Sequence, residues 1–354
     1  MHARAVGGTA ARHTVDLARA IDECYERGWT DGLPVVPPTV ERVEEMLGAD
    51  DGAVTVGAVP PLGGLATLEK IAVNAVMAGC LPEYFPVVCA AVEAVLQPEF
   101  NLAGLQATTH VSTPMIIVSG PVVGQIGLNA SFGVFGSGCR ANSTIGRALA
   151  LVLWNLGGAR PGVGDMSTFG LPTKHGSCIA ERQEISPWEP HHVQRGYAPD
   201  DSVVTVFAGE APKSIVGSRY DRGILMTAAD TMATLGAANL HLMGPMLFVV
   251  GAEHAAALGG AGWTRQGVQE FLFDNARRRA GDLRAQRTYN EDVRRRYWPD
   301  YDNITDESLI PIVERPDDIL VIVSGGDVGR FSLCCPAWGK GGRACSVRVG
   351  ERSE

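Results

Sequence analysis

One stretch of this sequence places a cysteine and an arginine between a glycine-rich loop and a predicted helix. The residues run Gly136-Ser137-Gly138-Cys139-Arg140, and the helical pattern begins at Asn142. The free N–H groups at a helix N-terminus attract anions, and a guanidinium adds a planar pair of donors. We therefore expect a carboxylate or phosphate to be held by Arg140, Asn142, Arg147 and Arg160. A tight turn that packs a buried helix is the non-functional alternative.

Cysteine supplies the candidate nucleophiles. A helix N-terminus and a neighbouring arginine favour the thiolate form, which makes Cys139 the first candidate. Cys80 and Cys178 are the other two. The chain has no CxxC motif, so we do not expect a closed structural zinc site. No cofactor is predicted, and dependence on a divalent metal stays open.

A long irregular segment, residues 158–201, concentrates groups that can transfer protons. Glu and His are the usual acids and bases of enzymes, and the candidates here are Glu181, Glu184, Glu189 and His192. Irregular stretches of this length inside compact domains are either functional or disordered. Apolar anchors such as Trp188 favour a functional segment. An ordinary hydrogen-bonded loop position remains the alternative for each residue.

Two further candidates for substrate binding come from single positions. Thr67, Lys70 and Asn74 share one face of a predicted helix, so Lys70 and Asn74 can reach a common ligand. A solvated helix face is the alternative. His110 precedes a predicted strand, where a hydrogen-bonded core histidine is the alternative to a ligand contact.

The elements that must position these residues form an alternating pattern of strands and helices. Four apolar runs end in glycine and are typical of strands buried on both faces: residues 114–120, 203–209, 245–251 and 319–326. Helical stretches lie between them, at residues 142–156, 223–240 and 264–279. The pattern predicts an α/β fold with a mixed or largely parallel sheet and flanking helices. The likeness of the first and third runs predicts an internal duplication of a helix–strand–Gly unit.

Composition limits the class of protein and its partners. The 354 residues carry a formal charge of −9, and only 19% are charged, against about 25% in an average chain. We expect a cytoplasmic homo-oligomer that binds neither nucleic acid nor membrane. The arginines at 277–279 and 294–296 are interpreted as solvated helix faces.

The chain divides into few parts. Residues 1–13 are predicted to be a disordered tail, followed by one α/β unit over residues 14–354. Two intimate lobes, residues 14–160 and 200–345, joined by the functional loop 158–201, are the alternative organisation.

Several long motifs resemble a bacterial family associated with the UGSC-type (seleno)proteins. They lie at residues 66–80, 140–148, 157–162, 178–181 and 186–193, and the similarity extends over residues 30–340. The sequence departs from the family pattern at Cys139, where Asn is expected, and at residues 211–214, where a Gly-Pro-His-Asn type of turn is expected. The resemblance implies no particular activity, and the departures imply a different substrate.

These residues predict an enzyme that acts on a small anionic metabolite by acid–base or thiol chemistry, of lyase or hydrolase type. A thiol-redox or metal-dependent enzyme is one alternative. A non-catalytic ligand-binding subunit is another.

Overall fold

Two four-stranded sheets organise the chain in the computed structural model, which describes residues 9–339 and 342–351. The strands of the described residues are β1 Thr55–Val59, β2 Gly64–Thr67, β3 Thr113–Ser119, β4 Cys178–Ala180, β5 Val203–Gly209, β6 Lys213–Val216, β7 Met246–Val250, β8 Arg277–Arg279, β9 Leu309–Pro311, β10 Ile319–Val323, β11 Phe331–Pro336 and β12 Cys345–Arg348. The first sheet has the order β12-β5-β3-β4, and the second has the order β10-β7-β11-β6. Two further sheets have only two strands each, the β1-β2 hairpin and the antiparallel pair β8-β9.

The two sheets share one pattern of pairing. In the first sheet β3 runs parallel to β4 and antiparallel to β5, and β5 runs antiparallel to β12. In the second, β7 runs parallel to β10 and antiparallel to β11, and β11 runs antiparallel to β6. The fold is therefore mixed α/β, as predicted. The common pattern is compatible with an internal duplication, which stays a prediction.

The sheets also exchange their edge strands. The chain leaves β5 in the first sheet and forms β6 in the second, and later leaves β11 in the second sheet and forms β12 in the first. At the crossing point Gly209 and Ala337 form an antiparallel bridge.

Helices cover the outer face of each sheet. The helices of the described residues are α1 Ala20–Glu26, α2 Val40–Leu47, α3 Leu68–Ala78, α4 Phe85–Leu96, α5 Leu102–Ala107, α6 Val122–Gln125, α7 Arg140–Asn155, α8 His191–Gln194, α9 Asp221–Met232, α10 Asn239–Leu242, α11 Ala252–Gly260, α12 Arg265–Asn275, α13 Ala280–Ala285 and α14 Glu291–Tyr297. Within the described residues, none of them is long and apolar enough to cross a membrane.

Side-chain alternation along the strands builds three apolar layers. Ile116 and Val118 of β3 face outward and pack with α3, α4 and α7. Phe248 of β7 and Val321 of β10 face outward in the second sheet and pack with α9 and α12. The inward side chains meet between the two sheets: Met115, Ile117, Ile179, Phe207, Leu247, Val249, Leu320, Ile322 and Cys335. Successive strand residues point to opposite faces, so an unbroken apolar run serves both layers.

Some local expectations need correction. Arg277–Arg279 is a strand rather than a helix face, because it pairs with β9. The stretch 223–240 contains most of α9, a break and the beginning of α10, so it is not one continuous helix. Strand β5 runs opposite to β3, so the glycines that end these two strands lie at opposite edges of the sheet. The four strand ends therefore do not converge on one place.

Candidate active site

The N-terminus of α7 has the arrangement that the sequence predicts for an anion site. The helix is 16 residues long and begins at Arg140, with Cys139 at the N-cap position. No side chain caps it, whereas Thr67 caps α3 through the Lys70 amide. The first N–H groups of a helix have no partner within the helix. The α7 N-terminus therefore keeps donors and positive potential for a ligand.

Cys139 differs from the other cysteines in its exposure. All eight cysteines are free thiols, and seven of them are buried, while Cys139 is partly exposed. Its Sγ donates a hydrogen bond to the Gly127 carbonyl at 3.4 Å. Only Cys139 is therefore placed to meet a molecule that arrives from solvent.

Two buried thiols, Cys80 and Cys178, belong to the surroundings of Cys139, and Cys178 is within electrostatic range of both other thiols. Burial raises the pKa of Cys80 to about 12, although a hydrogen bond with Thr144 and the charge of Arg140 act in the opposite direction. Burial also raises the pKa of Cys178, and negative charge on Cys139 or Cys80 raises it further. The three predicted thiol candidates are thus brought together. Cys80 and Cys178 stay protonated at neutral pH.

Arg140 is held at this site by one nitrogen. Its Nε donates to the Gly79 carbonyl at 3.0 Å, and within the described residues its two terminal nitrogens have no hydrogen-bond partner. The Gly79 carbonyl is available because α3 ends there, with Gly79 in the left-handed conformation. The guanidinium is anchored and keeps free donors, which suits a carboxylate or a phosphate.

Tyr84 belongs to the same cluster and was missed by the sequence reasoning. Burial and the charge of Glu83 raise the pKa of its hydroxyl, and Arg140 lowers it. The only signal in the sequence is its short spacing from Cys80.

Asn142 and Arg147, also predicted to hold the anion, are engaged with protein groups. The Asn142 amide bonds the backbone of Asn129 and the Cys178 carbonyl. Arg147 donates to Asp31 from two nitrogens, at 3.0 and 2.8 Å, and to the carbonyls of Leu33 and Pro34. Burial alone would raise the pKa of Asp31, but the Arg147 bonds lower it. Both side chains fix the segments around α7.

Glu181 lies in a buried ion pair rather than in a cavity. Its carboxylate accepts from Arg265 Nη2 at 3.0 Å and from the His191 backbone amide. The side chains of Glu181 and Arg265 are 0% and 4% exposed. The pair joins the end of β4 in the first sheet to the beginning of α12 on the second.

The other proton-transfer candidates line neither of the two larger cavities of the described residues. Glu184 is exposed and pairs with Arg182 at 2.8 Å. Glu189 is also exposed and lies within electrostatic range of Arg265, the partner of Glu181. His192 is fully buried, and its Nε2 lies 3.4 Å from the Pro199 carbonyl.

The remaining predicted binding residues lie at other places. Lys70 and Asn74 line a largely apolar cavity of about 690 Å³ against α1 and α2. His110 pairs with Glu210 at 2.9 Å. Arg160 lies over the Trp154 ring, 5.7 Å from its centroid.

Comparison with known proteins adds no family. No family model matches the sequence, and no curated protein matches it. Within the described residues, no group of three His, Cys, Asp or Glu side chains is placed to hold a metal ion. The geometry at the N-terminus of α7 is therefore the basis for a function.

Proposed function

We propose that this protein is a thiol-dependent enzyme, of hydrolase type, that acts on a small carboxylate- or phosphate-bearing molecule at the N-terminus of α7. One observation carries the proposal: the only partly exposed thiol lies at an uncapped helix N-terminus beside an arginine with free donors. The lyase alternative uses the same anion site but forms no covalent bond to Cys139.

Each group has a defined task in this proposal. Arg140 and the free N–H groups of α7 bind the anionic end of the substrate. The Cys139 thiolate attacks a carbonyl carbon and expels an alcohol, thiol or amine, which leaves the acyl group on sulfur. Water then attacks that thioester, releases the carboxylic acid and regenerates the thiol.

Alkylation with a charged and an uncharged reagent tests the site. Iodoacetate and iodoacetamide deliver nearly identical groups, and only the first is an anion. We expect Cys139 to react first among the cysteines of the folded protein. We also expect the iodoacetate-to-iodoacetamide rate ratio to fall about tenfold in Arg140→Gln, because a charge-assisted bond contributes about 1.5–3 kcal/mol. Peptide mass spectrometry gives the rate at each thiol.

Arg279→Gln is the matched control. Arg279 lies in β8, outside both four-stranded sheets, and pairs with Glu307, so its loss should leave the ratio unchanged. A ratio that does not respond to Arg140→Gln would contradict the anion site. A folded Cys139→Ser variant that still hydrolyses an anionic thioester would contradict the nucleophile.

A thiol-redox enzyme is the second candidate, because Cys178 lies within electrostatic range of both Cys139 and Cys80. A hydroperoxide would oxidise Cys139 to a sulfenic acid, and a second thiol would displace water to give a disulfide. A disulfide between Cys139 and either buried thiol after peroxide treatment would favour this candidate over hydrolysis.

We also propose a cytoplasmic homo-oligomer. The low charged fraction supports the homo-oligomer. Large apolar side chains on the surface support it as well, including Phe169 at 91% and Val163 at 70% exposure.

A further inference from the structure

A second cavity lies along the C-terminal half of α7 and has no role in the proposed thiol chemistry. We call it the α7 cavity. Its volume is about 620 Å³, within the range of small-molecule sites. Its wall is formed by α5, the beginning of β3, α7 from Gly146 to Trp154, and the segment 159–176. Ten residues separate Cys139 from Leu149, which corresponds to about 15 Å along the helix axis.

Most of the cavity wall is apolar. Leu105, Leu149, Leu153 and Leu171 contribute aliphatic surface, and Trp154 adds an aromatic ring. Such a wall favours the apolar body of a ligand over water.

The acidic side chains of this cavity are already satisfied by the protein. Asp31 accepts two bonds from Arg147 and one from the Leu33 amide. Asp165 accepts from the Ser167 amide and from Lys174 Nζ, the latter at 2.6 Å. Neither carboxylate therefore needs a cation from a ligand.

The donors of the same cavity are not all used. An ammonium group has three N–H donors, and Asp165 is the only partner of Lys174 among the described residues. His175 lines the cavity with its side chain 56% exposed, and its Nδ1 lies 3.8 Å from Asp31 Oδ2, too far for a hydrogen bond. The buried hydroxyl of Ser112 also lines the cavity and has no hydrogen-bond partner in the described part of the chain. The spare hydrogen-bonding capacity of the cavity is therefore mainly donor capacity.

From this asymmetry we infer that the α7 cavity binds an amphipathic carboxylate, a molecule with an apolar body and one anionic group that takes the free N–H groups of Lys174. The apolar body packs against Leu149, Leu153 and Trp154. The site is separate from the Cys139 site and does not depend on the chemistry proposed there.

Two fluorescent probes that differ by one charge test this inference. Anilinonaphthalene sulfonate has an aromatic body and an anionic group, and phenylnaphthylamine has the same body without the charge. We expect Lys174→Met to weaken the sulfonate about tenfold, because a charge-assisted bond is lost. Binding of phenylnaphthylamine should change little. Fluorescence titration of the full chain measures both.

Asp165→Asn should change the affinity for the sulfonate in the opposite direction. The change releases Lys174 from its counter-ion, so the sulfonate should bind several-fold more tightly. A general loss of packing would raise the binding of both probes, because it exposes apolar surface. Tighter binding of the sulfonate alone therefore identifies the released charge of Lys174. Unchanged sulfonate affinity in Asp165→Asn overturns the inference, and this variant alone decides if Lys174→Met does not fold.

Plugged variants locate the probe. Ala150 lines the α7 cavity and Val73 lines the 690 Å³ cavity. Ala150→Trp should remove sulfonate binding, and Val73→Trp should leave it intact. The reverse pattern places the probe in the other cavity and overturns the inference. Neither result bears on Cys139, so the proposed function stands or fails on its own test.

Discussion

At the scale of single residues, charge alone does not distinguish a functional group from a structural one. Glu181 and Arg140 are both candidates from their residue type and position. Glu181 pairs with Arg265 from a helix far along the chain, whereas two nitrogens of Arg140 have no hydrogen-bond partner among the residues that the structure describes. A partner that arrives through the tertiary fold cannot be identified from local sequence. The cluster of Cys80, Cys139 and Cys178 was named residue by residue, but its assembly also depends on the fold.

Glu181 should therefore be needed for stability. Glu181→Gln leaves Arg265 charged and buried without its hydrogen-bonded carboxylate, with only the exposed Glu189 nearby. The change should destabilise the protein by about 3–5 kcal/mol. Denaturant unfolding measures this. Glu184→Gln is the matched control, because the side chain of Glu184 is 67% exposed and its pair with Arg182 should contribute little.

A contrary result would assign Glu181 a different role. If Glu181→Gln kept the full free energy of unfolding but lost catalytic activity, the carboxylate would be a catalytic group rather than part of a buried ion pair.

At the scale of elements, the sequence predicts helix ends well where one residue determines them. Thr39 and Thr67 cap α2 and α3, and Gly79 ends α3, as their types indicate. The start of α7 was placed two residues late, since Asn142 has the residue type of a cap but its side chain bonds Asn129 and Cys178. The apolar runs predict four of the strands, β3, β5, β7 and β10. They predict neither the remaining strands nor the strand directions, because pairing is a non-local property.

Gly146, inside α7, is required by a close tertiary contact that helix propensity does not take into account. A Cβ at this position would lie 2.7 Å from the Ser177 backbone nitrogen. Gly146→Ala should therefore destabilise the protein by about 1–3 kcal/mol, as overpacking does, although alanine is normally the better helix former. Thermal and denaturant unfolding test this.

Gly260 provides the comparison. It lies in α11, and a Cβ there would meet nothing within 4 Å. Gly260→Ala should stabilise the protein by about 0.5–1 kcal/mol. If both alanine variants changed the free energy of unfolding in the same direction, the close approach of α7 to Ser177 would be contradicted.

At the scale of the whole molecule, the α/β class follows from the alternation of strands and helices. That alternation does not predict the division into two sheets or the exchange of β6 and β12 between them. Residues 345–348 form no long apolar run, yet they complete the first sheet by pairing with β5, and Cys345 is buried in its outer core. Such a short strand is specified mainly by the partner it meets.

A chain that ends at Gly342 tests the importance of this exchange. It lacks β12 and should unfold at a clearly lower temperature. The reason is that β5 loses its hydrogen bonds to β12 and α4 loses a packing partner. A chain that ends at Val349 keeps β12 and should behave like the full chain. Equal melting temperatures for the two truncated chains would show that β12 contributes nothing.

The exchanged strand also determines when the first sheet can be completed during synthesis. On the ribosome, β5 emerges long before β12, so the nascent chain carries an open strand edge while the second sheet is still being translated. Open edges recruit other strands, and slow, non-local pairing prolongs that exposure. This protein should therefore depend on a chaperone, or on slow translation, more strongly than its size suggests.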